Sequence, residues 1–139
     1  MYDLNGNKLT PEQCLLIYKD IIEDVKRVHS EFNAKIIFSD FRGALKERVM
    51  KDLLTAYELR KKYPDLLIGF DQVAEEDRWN KTSFYLDQFF VIDSIADKEG
   101  IDLPYYFHDG IKNLLTRNTI ISTAILDPIT WFFPALSLS

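Results

Sequence analysis

The fold is decided by two stretches of sequence, Ala34-Lys35-Ile36-Ile37-Phe38-Ser39-Asp40 and Leu66-Leu67-Ile68-Gly69-Phe70-Asp71. Each is a short apolar run that ends in a polar residue, which predicts buried strands over residues 34–38 and 66–70. Residues 45–63, between them, repeat apolar side chains at helical spacing. The order strand, helix, strand with short connections predicts a right-handed parallel βαβ unit.

The alternation continues on both sides of this unit. Thr10-Pro11-Glu12-Gln13 is a helix start with an N-cap threonine and a capping box, and the helix should run to about His29. A further helix is predicted from about Thr82 to Lys98, before Gly100, and a third strand over residues 103–107. Residues 1–112 are therefore expected to form about three parallel βα units of the α/β class. This pattern alone fits both an open sheet and a segment of a barrel.

The alternation stops at residues 113–139, a divergent apolar tail interrupted by Pro128 and Pro134. The tail is shorter than the ~20 residues of a membrane-spanning helix. An exposed apolar segment of this kind packs on the sheet, meets a partner, or was never selected to fold. All three interpretations stay open.

Charge and cysteine content restrict the classes of function. The 139 residues carry a formal net charge of -5, and the 17 basic residues are spread along the chain, so we expect no nucleic-acid partner. Cys14 is the single cysteine, which excludes an intrachain disulfide and a zinc site built on cysteines. The N-terminus lacks the pattern of a signal peptide, so we expect no membrane contact and a cytoplasmic protein if Met1 is the true start.

Candidate functional residues follow the predicted strands, because ligands of parallel α/β folds bind at the carboxyl ends of strands. One imidazole and several carboxylates at one edge could bind a divalent metal or act as acid and base. The simpler alternatives are an Asp40–Arg42 pair or a helix cap, a solvated acidic loop, and a structural His108. The candidates are Ser39, Asp40 and Arg42, then Asp71, Glu75, Glu76 and Asp77, then His108 and Asp109.

Three segments together carry a family resemblance. Residues 36–42 (IIFSDFR), 69–77 (GFDQVAEED) and 103–110 (LPYYFHDG) resemble the third, fourth and fifth strand ends of the adenosine deaminase-related growth factors, in the same order and at similar spacing. The resemblance implies a partial (β/α)8 barrel comprising strands 3 to 5, zinc as the cofactor, and adenosine as the substrate that is hydrolysed to inosine. It also implies an extracellular protein, since family members are typically secreted dimers.

Compared residue by residue, this sequence has few of the residues that carry out the family's reaction. His108 matches a zinc-ligating histidine in the family motif His-Ala-Gly-Glu, but Ile111 occupies the position of its glutamate, the catalytic acid. Ala74 stands where the family has a glycine that lets the substrate approach. Asp71 and Gly110 are retained, so the resemblance implies Asp71, Ala74 and Gly110 as substrate-binding positions and His108 as the metal ligand.

The family's other zinc ligands have no counterpart in this sequence, so we expect that this chain alone does not hold zinc. The preferred hypothesis is a truncated, catalytically inactive relative. One alternative is a piece of an active secreted deaminase whose other segments are missing. Another is a non-enzymatic interaction module that forms a homo-oligomer or pairs with an intact family member.

Overall fold

A computed structural model describes residues 1–75 and 78–107 of the chain. It confirms the α/β class. The helices are α1 (Pro11–Val28), α2 (Lys46–Lys62) and α3 (Leu86–Glu99), the strands are β1 (Ile36–Phe41) and β2 (Leu67–Val73), and a short 3₁₀ helix, Thr82–Tyr85, precedes α3. The predicted boundary at residue 112 and the tail 113–139 lie outside the described residues. No helix in the described part is long and apolar enough to span a membrane.

The chain divides into two compact units, and the described part of the first is residues 1–36. Its main element is α1, which begins as the sequence predicts. The Gln13 amide N–H donates to Thr10 Oγ1 at 3.2 Å, and the Thr10 N–H donates to Gln13 Oε1 at 2.8 Å. This capping box satisfies backbone donors that the first turn leaves without partners. His29 ends the helix, as expected.

The sheet lies in the second unit, where α2 connects the parallel neighbours β1 and β2. The Arg42 N–H donates to the Val73 carbonyl at 3.1 Å, so the pairing continues one residue beyond β1. Both strands run further than predicted, to Phe41 and Val73 rather than to residues 38 and 70. Backbone pairing, rather than the first polar side chain, ends each strand.

The predicted third strand, residues 103–107, is present only as a single parallel bridge between Phe70 and Tyr105. The Phe70 N–H donates to the Pro104 carbonyl at 2.9 Å, and the Tyr106 N–H donates to the Phe70 carbonyl at 2.8 Å. Proline has no N–H to donate, which limits how far this segment can pair. Among the described residues the sheet therefore has two strands, and three complete βα units are not confirmed.

The second unit has one hydrophobic core, formed by α2, β2 and the segment from the 3₁₀ helix to Leu103. Phe89 of α3 contacts three aromatic rings edge to face, with centroids 6.3 Å away at Phe70, 4.9 Å at Tyr105 and 5.1 Å at Phe107. These contacts hold β2 and its carboxyl end against α3. The buried members of the core are Ala44, Val49, Leu53, Ala56, Tyr57, Phe70, Tyr85, Phe89, Ile92 and Leu103.

The two apolar neighbours on α3 differ in burial. Phe90 is 62% exposed, whereas Ile92 is fully buried. The buried face follows Phe89 and Ile92 at i and i+3, so Phe90 lies one helical step outside it. Gly100 ends α3 with φ of 68°, the left-handed conformation expected of a glycine at a helix C-terminus.

Candidate functional site

The carboxyl ends of β1 and β2 bring buried polar residues together. Asp40 and Arg42 at the end of β1, and Asp71 and Gln72 near the end of β2, are all buried. The sequence predicted the first three as candidates and assigned no role to Gln72. A glutamine gives little sequence signal, because its burial follows only from strand pairing and helix packing. Such a cluster of buried polar groups calls for hydrogen-bonding or ionic partners.

Arg42 fixes the connection between β2 and α3. Its guanidinium Nη1 donates to Thr82 Oγ1 at 2.9 Å, and its carbonyl accepts from the Tyr85 hydroxyl at 2.5 Å. The Tyr85 hydroxyl also lies 2.7 Å from the Ala44 carbonyl and accepts from Asn80 Nδ2 at 2.9 Å. These bonds hold the loop after β1 against the 3₁₀ helix. Arg42 therefore has a structural role.

Asp40 contacts α2. Its side chain is 2% exposed and lies 3.8 Å from Arg48 Nη2, and its Oδ1 accepts the Phe41 N–H at 2.7 Å. Burial raises the pKa of the Asp40 carboxyl, as does the negative charge of Asp52, while Arg48 opposes the increase. The alternative of a helix cap is not observed, because Leu45 is the N-cap of α2 and makes no side-chain capping bond.

Ala74, expected to crowd the substrate, follows β2 with φ of 114°. L-residues rarely adopt this region of backbone conformation, and glycine enters it without a steric penalty. The position where the resemblance implies a glycine is thus one where the backbone itself favours glycine. The effect of the Ala74 methyl group on a substrate stays a prediction.

Sequence reasoning missed an aromatic pair at the end of β1. Phe41 and Trp79 meet edge to face with ring centroids 4.7 Å apart, and Trp79 is 46% exposed. A Cβ on Gly43 would lie 2.4 Å from Phe41 Cε1 and 2.6 Å from Trp79 Cε3. Gly43, which comes shortly after β1, was the only available signal, because Phe41 and Trp79 are far apart in sequence.

The acidic loop after β2 is only partly within the described residues. Glu75 is exposed and pairs with Arg78 at 3.5 Å, which fits the interpretation of a solvated loop. Glu76 and Asp77 lie outside the described residues, as do His108, Asp109, Gly110 and Ile111. The roles inferred for these residues stay predictions.

The resemblance implies zinc as the cofactor, and the described residues do not supply a site for it. Residues 1–75 and 78–107 contain no group of three or more histidine, cysteine, aspartate or glutamate side chains that could hold a metal ion. Cys14 is half-buried in α1, and His29 is exposed and lies 3.8 Å from Glu31. A catalytic zinc needs about three protein ligands, so no chemical step through zinc can be derived from this part of the chain.

Known proteins resemble the chain along most of its length. It is 32% identical over 130 residues to adenosine deaminase 2 of Pongo abelii and 31% identical over 130 residues to adenosine deaminase 2 of Homo sapiens, and each alignment covers 93% of this chain and 24% of the relative. An adenosine deaminase of Aedes albopictus is 36% identical over 130 residues, which is 91% of this chain and 23% of the relative. No protein-family model matches the chain.

These alignments extend through β1, α2, β2 and α3, well beyond the three segments that first suggested the resemblance. The chain is a divergent homologue of adenosine deaminases. More particularly, it corresponds to a segment of the adenosine deaminase 2-type proteins, and it spans about a quarter of the length of the curated relatives it matches.

Proposed function

We propose that this chain is a catalytically inactive, partial relative of the zinc-dependent adenosine deaminases. The observation that carries the proposal is Ile111, which stands where the resemblance places the glutamate that protonates the substrate. A hydrocarbon side chain cannot donate a proton, and general acid catalysis is typically worth about 10²–10⁴-fold in rate.

Zinc binding by this chain alone would be weak. His108 is the one residue that matches a family ligand, and the His-x-His pair of the family's first strand has no counterpart in the sequence. A single imidazole does not supply the three or four protein ligands of a stable zinc site. His108 therefore marks ancestry rather than a working metal centre.

Adenosine is the ligand that family membership suggests, through Asp71, Ala74 and Gly110. Asp71 lies near the carboxyl end of β2 and Ala74 directly follows the strand, where parallel folds bind ligands. Ala74 adds a methyl group at a position where the resemblance expects glycine, so affinity for adenosine should be lower than in a family member with glycine. The same resemblance also implies an extracellular protein.

The test is an activity and metal assay of the purified chain. With zinc and adenosine supplied, we expect no inosine above the background of buffer, and less than one zinc per chain by mass spectrometry. An intact adenosine deaminase 2 treated identically is the positive control. Stoichiometric zinc together with inosine formation would overturn the proposal.

The variant Ile111→Glu separates the two parts of the proposal. If only the acid were missing, this variant would regain turnover. Because the other ligands are also absent from the sequence, we expect Ile111→Glu to remain inactive. Recovered activity would show that the chain holds a complete zinc site and that Ile111 alone makes the wild-type chain inactive.

A second candidate is a piece of an active secreted deaminase whose remaining segments are missing. The observation that favours it is that the alignments cover 93% of this chain but only 24% of the relative. The neighbouring coding sequence decides: a His-x-His motif upstream and further family motifs downstream would support this candidate. Their absence would exclude it.

A third candidate is an interaction module that self-associates or pairs with an intact deaminase. The apolar side chains of Ile17, Ile21 and Val28 on α1 are exposed, which favours a contact. Light scattering after size-exclusion chromatography, with and without intact adenosine deaminase 2, tests it. A monomer that does not bind the deaminase would rule it out.

A further inference from the structure

A cluster of charged residues between β1 and α2 has no part in the proposed deaminase ancestry. One guanidinium contacts two carboxylates: Arg48 Nη2 lies 3.8 Å from Asp40 Oδ1, and Arg48 Nε lies 3.4 Å from Asp52 Oδ2. Asp40 belongs to β1, whereas Arg48 and Asp52 are one helical turn apart on α2. Two negative charges therefore face one positive charge across the strand-to-helix contact.

The two oxygens of Asp40 differ in their surroundings. Oδ1 accepts the Phe41 N–H at 2.7 Å, whereas Oδ2 is buried and has no hydrogen-bond partner within residues 1–75 and 78–107. A buried carboxylate oxygen without a donor is unfavourable. A proton on Oδ2 removes the negative charge and converts the oxygen into a donor.

The other neighbours of Asp40 do not balance the negative charge of its ionised carboxylate. The Arg42 N–H bond to the Val73 carbonyl sets a parallel register in which Asp40 lies beside Gln72 on β2. Gln72 is fully buried and uncharged. The guanidinium of Arg42, two residues along from Asp40, is bonded to Thr82. Within the described residues, the charged groups that face Asp40 are thus Arg48 and Asp52, both from α2.

We propose that Asp40 keeps a proton on its buried carboxyl group, and that the neutral Asp40 and the Arg48–Asp52 ion pair together form a pH-sensitive clamp between β1 and α2. With the proton in place, the negative charge left in the cluster is that of Asp52, which Arg48 balances. When the proton leaves, two adjacent carboxylates repel each other beside one cation, one of them buried. The clamp then weakens next to Phe41 at the end of β1 and the loop that carries Gly43.

The sign of the effect follows from the direction of the shift. Burial, and then the negative Asp52, raise the pKa of Asp40 above its value in the unfolded chain. The protonated clamp contributes fully to the free energy of unfolding at pH values below the pKa of Asp40 in the unfolded chain. This contribution is lost as the pH rises through the pKa of Asp40 in the folded chain. The clamp therefore holds at acidic pH and opens towards alkaline pH.

The direct test is a carboxyl ¹³C NMR titration of the full chain. We expect the Asp40 resonance of the folded chain to titrate at higher pH than the same resonance in the urea-unfolded chain. In Asp52→Asn the Asp40 midpoint should move down, towards but not onto its value in the unfolded chain, because burial remains. An Asp40 midpoint equal to its value in the unfolded chain, or unaffected by Asp52→Asn, would overturn the clamp.

A second test uses Asp40→Asn, which retains an acceptor for the Phe41 N–H and imitates the neutral acid. The ratio of its folding equilibrium constant to that of wild type, from urea unfolding, should increase between about pH 4 and about pH 8. Asp20→Asn, at an exposed aspartate of α1, is the matched control, and the increase for Asp40→Asn should exceed any change that this control gives. A flat ratio for Asp40→Asn would reject the clamp, and if this variant does not fold, the wild-type titration decides alone.

Discussion

Lys61 Nζ of α2 lies 2.7 Å from Glu99 Oε2 of α3, and the Tyr57 hydroxyl donates to the same oxygen at 3.2 Å. One carboxylate thus receives two donors from the neighbouring helix and links the last turn of α2 to the last turn of α3. The Lys61 and Glu99 side chains are 31% and 41% exposed, so solvent weakens the pair. The link matters because these two helices cover the sheet that carries the strand ends.

The Glu99 link makes stability fall in acid. The hydrogen bond from Lys61 is the main reason that the pKa of Glu99 is lowered. The contribution of Glu99 to the free energy of unfolding is therefore present at pH values above the pKa of Glu99 in the unfolded chain. It is lost as the pH falls through the pKa of Glu99 in the folded chain. We expect Glu99→Gln to be less stable than wild type in urea at about pH 7, and the difference to shrink at about pH 2. Asp97→Asn, on the exposed side of α3, is the control and should show a smaller change; equal changes would refute the link.

Ala74→Gly should stabilise the protein. Ala74 has φ of 114°, a region in which a non-glycine residue costs on the order of 1–3 kcal/mol. Relief of this strain is partly offset by the greater entropy of glycine in the unfolded chain, so we expect a gain of about 1 kcal/mol in the free energy of unfolding. Ala96→Gly in α3 is the opposite control and should destabilise by about 1 kcal/mol. A lower melting temperature for Ala74→Gly would contradict the prediction.

Local signals predicted most of the secondary structure. Thr10 and Gln13 form the expected capping box, and Gly100 ends α3 as expected. The errors in the predicted strands arose where hydrogen bonding to a neighbouring strand determines where a strand begins and ends. Polar Asp40 and Asp71 suggested strand ends but lie within β1 and β2. Pro104 has no N–H, so the bridge between Phe70 and Tyr105 does not extend towards the N-terminus of that segment. Polarity and propensity are properties of one residue, whereas a strand requires a neighbour.

The sequence predicted where the candidate residues lie but not what they contact. It placed Asp40, Arg42 and Asp71 near the carboxyl ends of two neighbouring strands, and the structure has them there, because parallel strands align their carboxyl ends. Their role as a binding site stays a prediction. It did not predict that Arg48 approaches Asp40, or that Trp79 packs on Phe41. These contacts depend on how α2 and the loop after β2 fold back over the sheet, which periodicity does not encode.

Tyr85→Phe should destabilise the strand-end loops. The hydroxyl lies 2.5 Å from the Arg42 carbonyl and 2.7 Å from the Ala44 carbonyl, and it is fully buried. Its removal leaves buried carbonyls without this donor, which costs about 1–3 kcal/mol. Tyr18→Phe, on the partly exposed face of α1, is the control and should change the free energy of unfolding by less than about 0.5 kcal/mol. Similar losses for both variants would mean that the hydroxyl network is not what holds the loops.

Gly43→Ala should separate the aromatic pair at the end of β1. The new Cβ would lie 2.4 Å from Phe41 Cε1 and 2.6 Å from Trp79 Cε3, so the rings must move. We expect a loss of about 1–2 kcal/mol in the free energy of unfolding. In a Trp131→Phe background, which leaves Trp79 as the one tryptophan, the emission maximum should shift to longer wavelength as Trp79 becomes more exposed. In the background Phe41→Ala, the smaller side chain leaves room for the methyl group, so the same substitution should cost less. Additive losses in this double-mutant cycle would show that Gly43 is not required by its contact with Phe41.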